Sequence, residues 1–332
     1  MFRMRNKIKD TCMSFRFNRF SIKTLLLIVI ASVCIATGGM YSFADDSGET
    51  AAVQTQNDEP GKEVSKKGIQ IVDGNYPLLV DIQDIGVSYG FLNFFYNELV
   101  SSEPTGYSYT YKGQTYYYNA DKVALYDNTI SSLTNAGISI VAAVVNGYNK
   151  DFPQLRYPGV DFNDGTQYYA FNAVTEEGIN LIESCTYFLA ERYNGGDKGK
   201  VEDWVIGNEV NDNLQYNYLK PREGSSYVAE YYKQFKMFYN VIKEINPEAE
   251  VYIPLEHRWQ TANTMTDYGA RWFLEEFNRN EKKDQQMDWG VAWHPYPYPL
   301  GDPDTLDDGD EPTTDTDGSP TYGGEVTMDE YT

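Results

Sequence analysis

The sequence predicts a parallel α/β fold, an incomplete (β/α)8 TIM barrel of about six of eight strands with an inserted β-hairpin. Three observations point there. Between residues 68 and 300, six short apolar runs alternate with segments of helical periodicity. Polar residues gather just past the runs, where the active face of such a barrel lies. No Gly-x-Gly-x-x-Gly follows the first run, so a doubly wound dinucleotide-binding sheet stands second.

The elements follow in order. Gly68–Val72 is a short strand, and a helix from Pro77 to Ile85 stops at Gly86. Phe91–Phe95 is the second strand. Tyr107–Tyr111 and Thr115–Tyr118 alternate around Lys112-Gly113-Gln114, the pattern of a β-hairpin inserted on the loop face. From about Asp121, Val123, Tyr126, Ile130 and Leu133 fall at helical spacing up to Gly137. Ile138–Val145 is almost continuously apolar, as a strand covered on both faces must be. A long loop, 148–171, carries four tyrosines. A helix from about Thr175 ends before Gly195-Gly196. Trp204-Val205-Ile206 is the fourth barrel strand. Val228, Tyr231, Phe235, Phe238, Ile242 and Ile245 then step by three or four along a helix that Asn246-Pro247 ends. Val251–Leu255 is the fifth strand, Tyr268–Phe277 a helix, and Trp289–Trp293 the sixth strand.

The ends of the chain read differently. Residues 1–44 place seven basic residues ahead of and beside an apolar run from Leu25 to about Met40, followed by Ser42-Phe43-Ala44. This is the pattern of an export signal, with an uncleaved anchor through residues 21–40 as the alternative and the one route to membrane attachment. Residues 45–67 lack apolar periodicity and read as a disordered linker. Residues 301–332 form an acidic end with no basic residue. The expected location is therefore outside the cell or on its surface.

Charge narrows the partners. Residues 1–44 hold 7 of the 27 basic and 1 of the 49 acidic residues, which leaves 20 basic, 48 acidic and a net charge of −28. Such a surface repels nucleic acid and anionic lipid. Cys185 alone would remain of three cysteines, so no intrachain disulfide is expected. The 29 tyrosines and five tryptophans suit carbohydrate contact and core packing equally.

Candidate chemistry sits after the strands. Asn-Glu occurs at Asn97-Glu98, Asn208-Glu209 and Asn280-Glu281, but only Asn208-Glu209 follows an apolar strand and a glycine. His257 and His294, the only histidines, both lie just past strands. No cofactor is expected. Glu256 and the two histidines could bind a metal, yet no His-Glu-x-x-His or Cys-x-x-Cys is present. Asp315–Gly318 lacks the first aspartate of a calcium loop, with Thr313 in that place.

Trp204-Val205-Ile206-Gly207-Asn208-Glu209 resembles the fourth-strand motif of the clan of retaining (β/α)8 glycoside hydrolases. The resemblance implies that Glu209 is the general acid/base and that Asn208 bonds the sugar 2-hydroxyl. Trp293-His294-Pro295-Tyr296 resembles the sixth-strand His-x-Tyr, whose tyrosine orients the nucleophile. The run from Tyr116 to Pro299 is similar to a bacterial family of uncharacterised glycoside-hydrolase-like domains. Phe188–Tyr193, Phe238–Lys243 and His294–Pro297 carry that similarity. The implied substrate contacts are Asn208, Asn211, Glu256, His257, Trp259, Trp293, His294 and Tyr296.

A retaining glycosidase needs two carboxylates about 5–5.5 Å apart, one attacking the anomeric carbon and one protonating the leaving oxygen. The clan takes its nucleophile from strand seven. Neither Glu325, which no apolar run precedes, nor Glu256, at the end of strand five and one position round the barrel from Glu209, replaces it. The expectation is a glycosidase-like fragment of a longer protein, itself inactive. A non-catalytic carbohydrate-binding barrel and a cell-surface interaction protein are the alternatives.

Overall fold

A computed structural model describes residues 65–72 and 79–295, with side chains from Asp81 in the second span. The expected export signal, most of the linker, the acidic end and Tyr296 lie outside the described residues. In chain order the elements are β1 (Gly68–Gln70), α1 (Leu79–Asp84), β2 (Tyr89–Phe95), α2 (Tyr96–Leu99) and β3 (Val100–Ser101). Then come β4 (Tyr107–Tyr111), β5 (Gln114–Tyr118), α3 (Ala120–Asn135), β6 (Ser139–Val145), α4 (Glu176–Arg192) and β7 (Asp203–Ile206). α5 (Gly224–Ile245), β8 (Glu250–Leu255), α6 (Ala270–Glu281) and β9 (Gly290–Trp293) complete the set.

Six strands pair in the order β1-β2-β6-β7-β8-β9, every pair parallel. Each barrel strand neighbours its predecessor and successor, the arrangement of an incomplete (β/α)8 barrel rather than of a doubly wound sheet, whose order reverses at a switch point. Side chains alternate between the faces. Phe91, Val141, Ala143 and Val205 form a cluster on one face with Tyr89, Tyr252 and Ala292. Leu92, Phe94, Ala142, Val144, Trp204, Ile206, Ile253 and Leu255 belong instead to the larger core shared with the helices. The first cluster is the barrel interior. Its parity, carried two residues at a time toward the C-terminal ends, runs from Val205 to Gly207, from Tyr252 to Pro254 and Glu256, and from Ala292 to His294. A strand-end residue of that parity faces the mouth.

Local chemistry starts the helices where the chain needs them. Asn119 Oδ1 accepts from the amides of Asp121 and Lys122, and Thr175 Oγ1 accepts from Gly178 N. Such caps contribute about 0.5–2 kcal/mol each. Glu223 caps α5 through the amides of Ser225 and Ser226, and these bonds hold its carboxyl below the ordinary range. α5 is the most aromatic helix, with Tyr227, Tyr231, Tyr232, Phe235 and Phe238 buried. Phe238 meets Tyr96 and Phe171 edge-on at 5.8 and 4.9 Å.

Between α3 and α4, Asp127 is the polar tie. It accepts from Arg192 Nε at 2.6 Å and Nη2 at 2.5 Å, and from Tyr193 Oη at 3.0 Å. Burial alone would raise this carboxyl, and the bonds from Arg192 and Tyr193 outweigh it, leaving it below the usual aspartate range.

Two expectations need correction. The hairpin forms as read, with β4 and β5 antiparallel around Lys112-Gly113 and β3 added at the β5 edge. It does not stand over the loop face, however. Tyr111 and Lys112 bond Glu183, Tyr109 bonds Glu191, and Arg192 lies over the Tyr107 ring at 5.0 Å. The hairpin is therefore laid along the outer flank of α4, where alternate tyrosines find helix carboxylates. The helix expected from Tyr268 begins at Ala270 instead. Tyr268 N is held by Asn211 O, and its hydroxyl reaches the carbonyls of Arg222 and Met265. Among the described residues no helix is long and apolar enough to cross a membrane.

Candidate active site

β7 ends at Ile206, and its neighbours shape the turn beyond it. Gly207 N still bonds Val144 O at 3.0 Å, the last rung toward β6. Gly207 then turns with φ +99°, and a Cβ there would lie 2.7 Å from Val210 Cγ1. Only glycine fits this turn without strain. Val210 N recovers a partner in Pro254 O at 3.0 Å. In a strand the N–H and C=O of one residue point the same way, so the side on which Pro254 lacks a donor is the side from which β7 has departed. The proline removes no ladder bond there. Two carbonyls of this region are claimed from α5: Tyr231 Oη donates to Ile206 O at 2.8 Å, and Tyr227 Oη to Val210 O at 2.6 Å. Burial holds both phenols neutral.

Glu209 emerges from this turn with φ +41°, one of three described non-glycine residues in the left-handed region. Such a conformation is sparsely populated and persists where surrounding contacts over-determine it. Glu209 is 7% exposed, and its Oε1 lies 2.8 Å from Nδ1 of His294, itself 5% exposed. His294 N donates to Leu255 O, extending the β8–β9 ladder by one residue and aiming the imidazole across to the β7 end.

Glu256, from the β8 end, lies within electrostatic reach of Glu209. Its Oε1 accepts from Arg258 Nε at 2.7 Å and Asn211 Nδ2 at 3.2 Å, and its Oε2 faces His257 Nδ1 at 3.1 Å. Arg258 in turn pairs with Asp267 at 3.0 Å. Burial pushes the Glu256 carboxyl up, Arg258 and His257 pull it back, and the charge of Glu209 pushes it up again. Both Glu256 oxygens are engaged by the protein.

The residues read from the sequence divide accordingly. Glu209, Glu256, His257 and His294 come together at the C-terminal mouth. Asn208 is half-buried in the turn between Gly207 and Glu209. Trp293 donates its indole N–H to Glu256 O at 3.2 Å and meets Trp259 edge-on at 6.4 Å. Asn211 plays a different part. Buried, it donates both amide hydrogens, to Glu256 Oε1 and to Tyr268 O, and accepts from Glu256 N. It positions Glu256 and has no donor left for a ligand. Tyr296 lies outside the described residues. No group of three or more His, Cys, Asp or Glu among the described residues could hold a metal ion.

Sequence reasoning missed Tyr216 and Arg258. Tyr216 is half-buried, and its hydroxyl is pushed up to about 12 by burial and then by the charges of Glu209, Asp212 and Glu256. Its ring lies 6.4 Å from that of Tyr168. No local pattern marks it, because the contact depends on two loops meeting. Gln167 N and Tyr168 N both donate to Gln215 O, Tyr218 N to Tyr168 O, and Asn213 N to Thr266 O. The loops after β6, β7 and β8 are thus stitched into one rim. For Arg258 there was a signal, since it stands two residues after Glu256.

Comparison with known structures gives low similarity throughout. The catalytic domain of a GH53 protein from Ignisphaera aggregans matches with 14% identity and a TM-score of 0.44, over 74% of this chain and 64% of that one. A trimodular GH5_4 subfamily endoglucanase matches with 13% identity and a TM-score of 0.44, over 68% and 35%. A glucosidase from Croceicoccus marinus matches with 14% identity and a TM-score of 0.43, over 68% and 43%. The chain thus spans between about a third and two thirds of the length of these structures. No curated protein matches it. One family model does, described as a family of unknown function, over residues 59–322.

Proposed function

The chain belongs to the family of unknown function DUF5722, and from the chemistry of its own site we propose a glycoside-hydrolase-like protein, exported to the medium or the cell surface, that takes a carbohydrate at the barrel mouth. Glu209 is its general acid/base. The observation that carries this reading is the 2.8 Å contact of Glu209 Oε1 with His294 Nδ1, made by a glutamate held in a left-handed turn at a strand end. With Glu209 ionised, the Nδ1–H donates to it. With the acid proton on the other carboxyl oxygen, Oε1 still accepts the same N–H, so one ring orients the carboxyl in both halves of a proton-transfer cycle. The second carboxyl oxygen is then the one to meet the glycosidic oxygen. Asn208 is assigned to the sugar 2-hydroxyl, and His257, Trp259, Trp293 and Tyr296 to further sugar contacts. Asn211 and Glu256 act through the scaffold.

The retaining reaction needs a nucleophile about 5–5.5 Å from the acid/base carboxyl. Glu256 is a poor one, because Arg258, His257 and Asn211 occupy its oxygens. We assign the nucleophile to a carboxylate other than Glu256, outside the described residues. The engagement of Glu256 equally supports a second reading, a carbohydrate-binding barrel without catalysis. Activity assays on the protein separate the two. If Glu209 is the acid, Glu209→Gln abolishes hydrolysis of glycosides with poor leaving groups and spares activated aryl glycosides more. Equal loss on both removes the acid/base assignment, and absence of any hydrolysis favours the binding barrel.

A further inference from the structure

We propose that the pocket at the head of α6 is an outer sugar subsite, so that the ligand of this barrel is an oligosaccharide chain rather than a single sugar. The proposal rests on the carbohydrate reading of the mouth. The pocket has a volume of about 460 Å³ and is walled by Trp259, Gln260, Ala262, Arg271 and Trp272. This lies within the range of ~300–1,000 Å³ usual for small-molecule sites. Its position follows from topology. The β8–α6 loop leaves the C-terminal end of β8, and α6 starts at the same level, with Ala270 N and Arg271 N bonded to the carbonyls of Arg258 and Trp259. The pocket therefore opens on the mouth side, outward from Glu256.

An aromatic path joins it to the carboxylates. Trp293, anchored by its indole N–H on Glu256 O, meets Trp259 at 6.4 Å, and Trp259 forms the near wall of the pocket. Trp272 forms another wall and is held from two sides. Tyr268 stacks on it at 5.9 Å, and a Cβ on Gly224 would come within 2.5 Å of its ring. A ring already fixed loses little freedom when a ligand docks. Around the indoles stand planar polar groups: the Gln260 amide and the exposed Arg271–Glu275 pair at 3.2 Å. An indole face suits the C–H face of a pyranose, and planar amide, guanidinium and carboxylate groups suit its ring of hydroxyls.

The test is isothermal titration of the 332-residue chain with the di- and hexasaccharides of the β-1,4-glucose, β-1,4-galactose, β-1,4-mannose and β-1,4-xylose series. For the series that binds, the hexasaccharide is expected to bind at least tenfold tighter than the disaccharide. Ala262→Trp, which fills the pocket from an exposed loop position, and Arg271→Ala, at the exposed rim, should erase that gain and leave disaccharide affinity unchanged. Trp272→Ala should do the same, and the two rim variants decide the matter if it fails to fold. A length gain that survives Ala262→Trp and Arg271→Ala overturns the subsite, as does a hexasaccharide no tighter than its disaccharide, or no binding in any series. Length-dependent binding that responds to the variants in a protein that never hydrolyses sugar would leave the subsite standing and remove the catalytic reading.

Discussion

Replacing Gly207 by alanine should measure how tightly the Glu209 turn is held. The backbone there has φ +99°, and the new Cβ would stand 2.7 Å from Val210 Cγ1. Val210 cannot retreat easily: it is fully buried, its amide is bonded to Pro254 O, and its carbonyl receives the Tyr227 hydroxyl. The left-handed backbone costs an L-residue about 1–2 kcal/mol. Overpacking against a pinned neighbour adds about 1–3 kcal/mol. Gly207→Ala should therefore destabilise the domain by about 2–5 kcal/mol, a large part of the ~5–15 kcal/mol of a typical fold. Urea unfolding followed by tryptophan fluorescence and far-UV circular dichroism reads this directly. Val210→Ala in the same background removes the overlapping methyl group and leaves the φ strain. The double variant should accordingly be less destabilised than the sum of the single ones, with an interaction of about 1–3 kcal/mol. A Gly207→Ala protein within about 0.5 kcal/mol of the parent, or a pair that adds without interaction, would refute the account of why this turn is rigid.

Three other expectations can be checked on the same chain. Asp127→Ala leaves the Arg192 guanidinium and the buried Tyr193 hydroxyl without their acceptor and should cost about 3 kcal/mol near neutral pH. Because the Asp127 carboxyl is held below the ordinary aspartate range, its contribution is present above about pH 4 and fades as pH falls through the depressed value. The gap between parent and variant should thus narrow at about pH 3, and a gap that widens there would contradict the sign. Arg258→Met removes the cation nearest Glu256, so carboxyl-carbon resonances should show Glu256 titrating at higher pH than in the parent; a downward move would contradict the pull of the Arg258 charge on this carboxyl. Phe238→Ala opens a cavity between α5, Tyr96 and Phe171 and should cost about 3–5 kcal/mol in urea unfolding.

The barrel strands were legible because their physics is local. Ile138–Val145 is apolar on both faces and became β6, shared between the interior cluster and the helix-side core. The spacing from Val228 to Ile245 likewise became the buried stripe of α5. The location of Glu209 and His294 just past strands was readable for the same reason. The meeting of distant groups could not be read. Asn211 looked like a ligand contact because it follows Glu209 by two residues, yet its amide is taken by Glu256 and Tyr268, 45 and 57 positions away. The alternation of the hairpin was plain, but the flank it covers was decided by Glu183, Glu191 and Arg192 on α4. The left-handed Glu209 had no signal at all, since glutamate does not advertise positive φ as glycine does.

The hydroxyls of Tyr227 and Tyr231 carry one more consequence. They bind the last carbonyl of β7 and the carbonyl just past Glu209, so the segment that presents Glu209 derives part of its order from a helix that contributes nothing to the mouth. When α5 lifts in a partial opening, both anchors go together, and isotope exchange at the amides of Val210 and Asp212 should follow the opening of α5 rather than that of the rim loops. A Tyr231→Phe protein would then keep every group at the mouth and still present Glu209 from a looser hinge.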